Sequence, residues 1–580
     1  MLDPYRMVFV NIIASLFLLG GVVFYKFVYP KKHINLLALL ILISLLPIIS
    51  IFRKGTYESG DLTIHTHYLM SFFENLKAGN IFPQWTNVGY GTPVFIFLYP
   101  LPFYIGSIFH FIGFSFLNSI KLVLILSYTF SGITMYLWAK KEFGKTPGFL
   151  ASIMYLFAPY HLVDLHFRAS VGETLSFVFI PLVFLYSKNL IETKKYKFLI
   201  LEAISIALLI TSHLATAMIT FHILAIYAFI IWVKKKRKGI SDLFYWLGSI
   251  ILGLSISTFY WIPAIFEVKY TLYSLTLPTG GFLSLQDIIY SPTRFGLLFQ
   301  GHYGETHYVL GYAQLTIFLI SIMIFRKIKN KRKILLLLFF QISFLILTFM
   351  TLSESKKIWE FFSYLNNFQF AWRLLVPIAF ILAAISAIVS TKLSNKIILI
   401  ICLITIFSTI LNWGNRKMVP EQKENRAGYE TLYTEFYDPS DSIYKKYYPN
   451  LNNIVLKDIP KLPIETIKGG AEIKQIYRNP TNHQYLIDAR TNVLIKENTL
   501  YFPNWRLLIN NSPHTIYFND PKYMGVIIFK LTPGIYKAEL RFENTKLRTL
   551  SQRSSVITLL FIIILLIFKN SRLVANYKKK

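Results

Sequence analysis

Apolar runs long enough to cross a bilayer recur along most of this chain, and they leave few folds open to it. Two of the clearest are IIASLFLLGGVVFY, ending at Tyr25, and VITLLFIIILLIF, ending at Phe568. A helix that crosses the hydrocarbon core needs about 17–25 mostly apolar residues. Of 580 residues, 54% are hydrophobic, 17% aromatic and only 15% charged, and the mean hydropathy is +0.48. Soluble domains carry about a quarter charged residues, so lipid is the main solvent here.

Thirteen runs read as spans: Met7–Tyr25, Ile34–Phe52, Asn118–Trp138, Gly148–Tyr160, Thr174–Tyr186, Phe198–Ser212, Ala215–Val233, Phe244–Ile262, Tyr308–Phe325, Ile334–Leu352, Leu374–Ser390, Ile397–Trp413 and Val556–Phe568. The basic residues between them give sidedness. Lys26/Lys31/Lys32, Lys140/Lys141/Lys145, Lys188/Lys194/Lys195/Lys197, Lys234–Lys238, Arg326–Lys333, Lys392/Lys396 and the terminal lysines all fall on one face. The positive-inside rule makes that face cytoplasmic, with the N-terminus outside and the C-terminal tail inside. The formal net charge of +31 is accounted for by these turns, and no basic groove with interleaved aromatics stands apart from them to suggest nucleic acid. Met7–Tyr25 lacks a basic leading region and a small-residue cleavage site, so it reads as a retained span rather than a signal peptide.

Val94–Phe111 does not fit the count. If it crossed, every later basic cluster would move outside, and Pro100 and Pro102 remove backbone donors from its middle. It reads as an interfacial or re-entrant helix pair in a first outer loop. Irregular backbone at that depth needs a protein-lined or water-filled cavity, which implies one opening outward. From Asn415 to Arg553 the chain turns polar, and QYLIDA, NVLIKE, TLYFPNW, RLLIN, HTIYF, GVIIFKL and GIYKAELRF alternate as strands do. Asn510–Asn511 and Pro533–Gly534 punctuate them as turns. A polytopic α-helical membrane protein with an extracytoplasmic β-sandwich is expected. Its parts are a membrane domain over 1–413 with a large outer loop at 53–117, a β-rich domain over 414–553, and a final helix with a basic tail over 554–580. Cys402 is the one cysteine, which excludes disulfides and cysteine metal sites.

Ionisable groups near membrane depth are costly and carry the functional question. The outer-face set is Glu58, Asp61, His65 and His67 in the first loop, then His161, Asp164, His166, Arg168 and Glu173 in APYHLVDLHFRASVGETLSF. His213 follows in TSHLATA. Arg294, His302, Glu305 and His307 precede Tyr308, and Trp372 and Arg373 stand in FQFAWRLL. Plainer roles compete: an N-cap for Asp61, an ion pair between Arg168 and Glu173, and interfacial anchoring for Trp372 and Arg373. His65 and His67 would point apart on a helix, so no metal site is assigned. Phosphate-binding glycine loops and nucleophilic triads are absent. Trp85 and Trp372 are candidates for stacking on a sugar.

GDLTIHTHYLMSFFENLKAGNIFPQW, GYGTPVFIFLYPLPFYIGSIFHFIG, LFAPYHLVDLHFRASVGETLSFVFIPLVFL and TSHLATA resemble the membrane family called 6-pyruvoyl-tetrahydropterin synthase-related, close to the YfhO-like proteins. FQFAWRLLVP is similar to that family's aromatic-Trp-Arg segment, and YFPNWRLLINN to the outer β-domain of YfhO-like chains. The pterin label carries no chemistry here, since the soluble synthase needs a three-histidine zinc site on a small α/β domain. The resemblance implies a GT-C glycosyltransferase: a polyprenyl-phosphate-linked sugar as donor, a cell-envelope glycan or glycolipid as acceptor, and membrane lipids as surroundings. Asp61 becomes the catalytic base, with Glu58 as the second candidate. Arg168 and Arg373 become phosphate ligands, and His65, His67, Asp164, His166, Glu173, His213 and Trp372 substrate-binding residues. Many relatives carry an acidic pair where only Asp61 stands here, so metal dependence is not expected. A flippase for a lipid-linked glycan or a non-catalytic envelope scaffold are the alternatives.

Overall fold

The structure, a computed structural model, describes residues 4–87, 89–235, 237, 239–271, 280–301, 305–414, 418–419, 462–520, 522–523 and 525–577. His302 and most of the first part of the polar region lie outside these residues. The chain divides into two compact units. One comprises Met1–Thr63, Leu117–Leu254 and Pro278–Gln422, and the other Ile64–Phe116, Ser255–Leu277 and Lys423–Lys580.

The helices make this a multi-pass membrane protein. Among the described residues, eight helices are long and apolar enough to cross, or ten if each of two broken pairs counts as one. Gly148–Tyr160 falls on the first of the broken pairs. Its helix, Lys145–Leu156, is followed by a second segment, Pro159–Arg168, bent from it by 53°. Proline at the first position of the new segment disfavours helical backbone in the residue before it, which sets the break. Thr174–Tyr186 extends to Val171–Thr193, and Phe244–Ile262 is interrupted into Ile240–Ile256 and Thr258–Phe266. The runs at Ile34–Phe52 and Tyr308–Phe325 form short helices, Leu36–Ile48 and Tyr312–Met323.

In the first unit, Leu375–Ser390 is the central element, and all sixteen of its residues are buried. Its sequence is apolar on every face, the pattern of a helix surrounded by others. Ala379, Ala383, Ala384, Ala387 and Ser386 let neighbouring backbones approach closely. Those neighbours include Lys145–Leu156, Tyr312–Met323 and Lys331–Thr351. Met7–Val28 is the opposite case: most of it is unburied, and Phe9, Phe17, Phe24 and Phe27 are exposed, as lipid contact requires.

The basic clusters of this unit gather around three acids. Glu142 accepts from Arg332 at 2.6 Å and pairs with Lys188, Glu192 accepts from Arg332 at 3.0 Å, and Asp242 pairs with Lys194 and Lys235, both at 2.9 Å. Five helix termini thus share one end, as the lysine pattern requires. Glu202 lies within this half, fully buried, its carboxyl bonded by Ser187, whose hydroxyl accepts from Trp246 at 2.9 Å.

In the second unit, Val94–Phe97 and Leu101–Phe111 are separate helices divided at Pro100. In the first unit β1 (Thr56–Tyr57) pairs antiparallel with β2 (Met418–Val419), whereas the β-region of the second has two antiparallel sheets. One contains β4 (Ala471–Asn479), β5 (Asn482–Ala489), β10 (Gly534–Phe542), β7 (Trp505–Ile509) and β8 (Ser512–His514), in that order. The other runs β3 (Ile464–Lys468), β6 (Val493–Leu500), β9 (Val526–Leu531). Tyr485, Ile487, Leu507 and Leu540 of the first sheet and Ile495, Ile527 and Phe529 of the second share one core, as in a sandwich. The hairpin β7–β8 closes through Asn510 and Asn511 at φ 48° and 64°, the left-handed pair that a two-residue turn with this twist needs. TLYFPNW is not one strand: Pro503 separates the end of β6 from Trp505. HTIYF contributes only the end of β8 and an isolated bridge from Tyr517 to Ile528.

One buried acid holds the sandwich together electrostatically. Glu497 accepts from Arg478 Nη1 at 2.6 Å, His483 Nδ1 at 2.9 Å and the Tyr485 hydroxyl at 2.9 Å. The Arg478 guanidinium and the imidazole outweigh desolvation and hold Glu497 at about 2, whereas burial lowers His483. Both folded groups therefore bind protons less readily than the unfolded chain. Their stabilisation is complete above about pH 6.5 and falls as pH drops, first through His483 and then between about 4.5 and 2 through Glu497. Amide exchange in β5 and β6 of the full protein, corrected for intrinsic rate, should lose protection steadily from pH 7 to pH 3. Constant or rising protection contradicts this.

Candidate functional site

At the end of the first unit opposite the three acids, the bend at Pro159 redirects the chain into a short wide turn, Val163–Arg168. The turn closes on Ala169, a left-handed residue at φ 54°, and helix Val171–Thr193 begins two residues later. Asp164, Arg168 and Glu173 are thereby folded onto one another. Arg168 Nη1 donates to Asp164 Oδ1 at 2.8 Å, Glu173 Oε2 at 2.7 Å and the Tyr160 hydroxyl at 2.8 Å, and Nη2 donates to Glu173 Oε1 at 3.1 Å. The Tyr160 hydroxyl donates to Glu173 Oε2 at 2.7 Å. The Arg168–Glu173 pair expected from spacing forms, but as part of a larger set.

Arg373 joins from the start of a distant helix. Its Nε donates to Glu173 Oε1 at 2.9 Å, and its Nη1 donates to Phe368 O and Gln369 Oε1, both at 3.0 Å. Gln369 is also left-handed, at φ 65°. Each arginine therefore lies close in sequence to a non-glycine residue in unfavourable backbone, a strain that only surrounding structure sustains. His213 completes the set. It caps helix Leu214–Val233, its Nδ1 accepting from Thr216 N–H at 3.3 Å, which leaves Nε2 to face Glu173 Oε1 at 3.6 Å. Two guanidiniums thus meet two carboxyls, and Asp164 and Glu173 are fully buried.

Aromatic rings stand beside these charges. Trp372 stacks on Tyr308 (4.7 Å between centroids, 13°) and on Phe370 (4.4 Å, 8°), Tyr308 lies 5.9 Å from Tyr160, and Arg373 sits 5.2 Å over the Phe370 ring. Gly281 allows this: at φ +68° it carries no Cβ, and one there would collide with the Trp372 indole.

Asp61 is fastened to the same turn through its backbone. The N–H groups of Gly60 and Asp61 donate to Phe167 O at 2.9 Å and Arg168 O at 2.7 Å. The Asp61 side chain is half-buried and makes no hydrogen bond or ion pair with another described residue. Glu58 is exposed, three residues earlier. His166 is buried in the wide turn. The structure therefore brings together Asp61 by its backbone, and Asp164, Arg168, Glu173, His213, Trp372 and Arg373 by their side chains. His65 and His67 belong to the second unit. Both are buried there, His65 Nε2 lying 2.9 Å from the Tyr99 hydroxyl. Trp85 is not a sugar-stacking surface: it is fully buried in the β-core, edge-on to Trp505 and packed on Phe542. Among the described residues, no three His, Cys, Asp or Glu side chains are grouped to hold a metal ion. Tyr160, Tyr308, Phe370 and Gln369 were not singled out from the sequence, where nothing distinguishes them from the many interfacial aromatics and polar loop residues.

The family described as 6-pyruvoyl-tetrahydropterin synthase related domain, a membrane protein family, matches residues 95–415, more than half of the chain. The chain belongs to this family. An uncharacterized protein of Lactococcus lactis subsp. cremoris (strain MG1363) is 23% identical over 258 residues, which are 43% of this chain and 42% of that one. The chain thus matches less than half the length of that relative. Among solved structures, the mycobacterial arabinofuranosyltransferase AftD is similar at TM-score 0.44 and 15% identity, over 66% of this chain and 28% of AftD. An oligosaccharyltransferase from Archaeoglobus fulgidus is similar at 0.39 and 16%, over 71% of this chain and 58% of the enzyme. Both likenesses are too loose to carry a functional argument.

Proposed function

We propose that the protein is a membrane glycosyltransferase that moves a sugar from a polyprenyl-phosphate carrier to a cell-envelope acceptor at the outer membrane face. One observation carries the reading: the carboxylate of Asp61 is free among the described residues, while its backbone is fixed to a charged set whose own carboxyls are engaged. A catalytic base needs such a position, held but uncommitted. Asp61 takes the proton of an acceptor hydroxyl as that oxygen bonds to the anomeric carbon. The bond from that carbon to the phosphate oxygen breaks, and polyprenyl phosphate leaves with the electron pair. Positive charge beside the phosphate stabilises that departure.

The arginines divide this work unequally. Arg168 spends both terminal nitrogens on Asp164, Glu173 and Tyr160, so it acts as a positioning residue rather than as the phosphate ligand expected from sequence. Arg373 uses Nε and Nη1, and its Nη2 is assigned to a phosphate oxygen. The resemblance in GDLTIHTHYLM and APYHLVDLHFRASVGE supports the same chemistry. Outward orientation of this end rests on the lysines at the other.

A second reading, transport of a lipid-linked glycan, is favoured by Glu202, because alternating access needs ionisable groups along the inner halves of spans and this buried carboxyl lies in the lysine-rich half. Mass spectrometry of lipids from cells overproducing the protein distinguishes them. A transferase consumes a polyprenyl-phosphosugar and accumulates the free carrier phosphate, whereas a transporter leaves the total of each lipid unchanged.

A further inference from the structure

The second unit holds a cavity of about 210 Å³ that the chemistry above does not use. Every residue lining it is uncharged, and six present amide or hydroxyl groups: Asn75, Asn80, Gln84, Thr481, Asn544 and Gln552. They come from the end of helix Leu62–Lys77 and the loop after it, the β4–β5 turn, the end of β10, and helix Lys546–Tyr577.

These groups are partly bonded to each other. Gln84 Nε2 donates to Asn544 Oδ1 at 2.5 Å, Asn544 Nδ2 to Gln552 Oε1 at 3.0 Å, and Asn80 Nδ2 to Thr481 Oγ1 at 2.9 Å. A primary amide offers two donors and an acceptor with two lone pairs, so each retains capacity for a ligand. Asn75 backs the lining from beneath. It is fully buried, its Nδ2 donates to Ser71 O and Trp85 O, and its Oδ1 has no hydrogen-bond partner. A buried acceptor left unsatisfied is costly, but this one is closed off from the space, so the groups that meet a ligand are those of Asn80, Gln84, Thr481, Asn544 and Gln552.

We propose that this cavity binds an uncharged glycosyl ring. Ring hydroxyls each donate one hydrogen bond and accept others, which matches mixed amide donors and acceptors. Phe82 and Phe542 line the same space and offer apolar surface to the C–H face of such a ring. Arg548 lies behind Gln84 and donates to its Oε1, but it is paired with Glu267, so the lining offers a phosphate or carboxylate no uncommitted cation and an ionised group is selected against.

Saturation-transfer NMR on the full protein in lipid nanodiscs tests this with methyl glucoside, methyl galactoside and methyl mannoside, and with glucuronate as the charged comparison. At least one neutral glycoside should bind saturably, at least tenfold tighter than glucuronate. The double variant Asn544→Ala/Gln552→Ala should weaken it at least tenfold, and Thr481→Trp, which fills the cavity, should abolish it. The second variant decides if the first fails to fold. The proposal is overturned if no neutral glycoside saturates, if glucuronate binds equally well, or if Thr481→Trp binds like the parent. No donor lipid is present, so this failure is distinct from a failure of the transferase reading.

Discussion

Asp61→Asn should lower sugar transfer by about a hundred- to ten-thousandfold, the range that a positioned general base supplies. Asparagine keeps the size of the side chain and the two backbone bonds to Phe167 and Arg168, because those use main-chain N–H groups. It cannot accept the acceptor's proton. Expression, folding and donor binding should therefore survive while turnover collapses. The measurement is transfer from a synthetic polyprenyl-phosphosugar by protein in liposomes, beside donor binding to the same preparation. Full activity in the variant removes Asp61 from the mechanism. Collapse of binding together with turnover makes it a donor ligand instead. Glu58→Gln, at an exposed position, should change turnover by less than tenfold, which separates the two acids of the first loop.

Glu173→Gln should have the largest effect on stability. Glu173 accepts from Arg168, Arg373 and Tyr160 and faces His213. Neutralising it leaves two guanidiniums with Asp164 as the remaining carboxyl of the set. Removing one partner of a buried ion pair costs about 3–5 kcal/mol, much of it from the charge left unpaired. Unfolding by denaturant in mixed micelles measures the change, and a loss under about 1 kcal/mol would show that the set relaxes freely. Adding Arg168→Met to Glu173→Gln should restore part of the stability, because it removes one orphaned cation.

The features legible in the sequence were those with a local physical cause. Bilayer length and the lysine turns gave a polytopic protein with its cations at one end, and the salt bridges of Glu142, Glu192 and Asp242 gather them there. Asn510–Asn511 announced a hairpin because few residue pairs tolerate two successive left-handed conformations. Hydropathy ended the apolar run at Tyr160, next to the break, but could not show that a second helical segment begins at Pro159, bent by 53°. Among the described residues eight to ten helices are long and apolar enough to cross, against thirteen apolar runs, because hydropathy does not show where a helix breaks. At the site, the charged residues were legible because charge is rare in such a chain. Their partition was not: whether Arg168 faces a ligand or Glu173 depends on the wide turn ending at Ala169, which no spacing rule encodes. Tyr160, Tyr308 and Phe370 were hidden by abundance. In a chain with 17% aromatic residues, nothing marks the few that stack beside a charge.

The balance between two arginines and two buried carboxyls has a consequence for the donor. An anion arriving at Arg373 does not enter an empty socket, since Glu173 already sits there at 2.9 Å. Under the proposed chemistry the donor phosphate takes Nη2 while Glu173 keeps Nε, so a second anion is added beside the first and their repulsion subtracts from the attraction of the arginine. Such a site grips a phosphate weakly before the sugar leaves and weakly afterwards. The spent carrier meets a neighbouring anion that never diffuses away, so the resident carboxylate helps to evict the product.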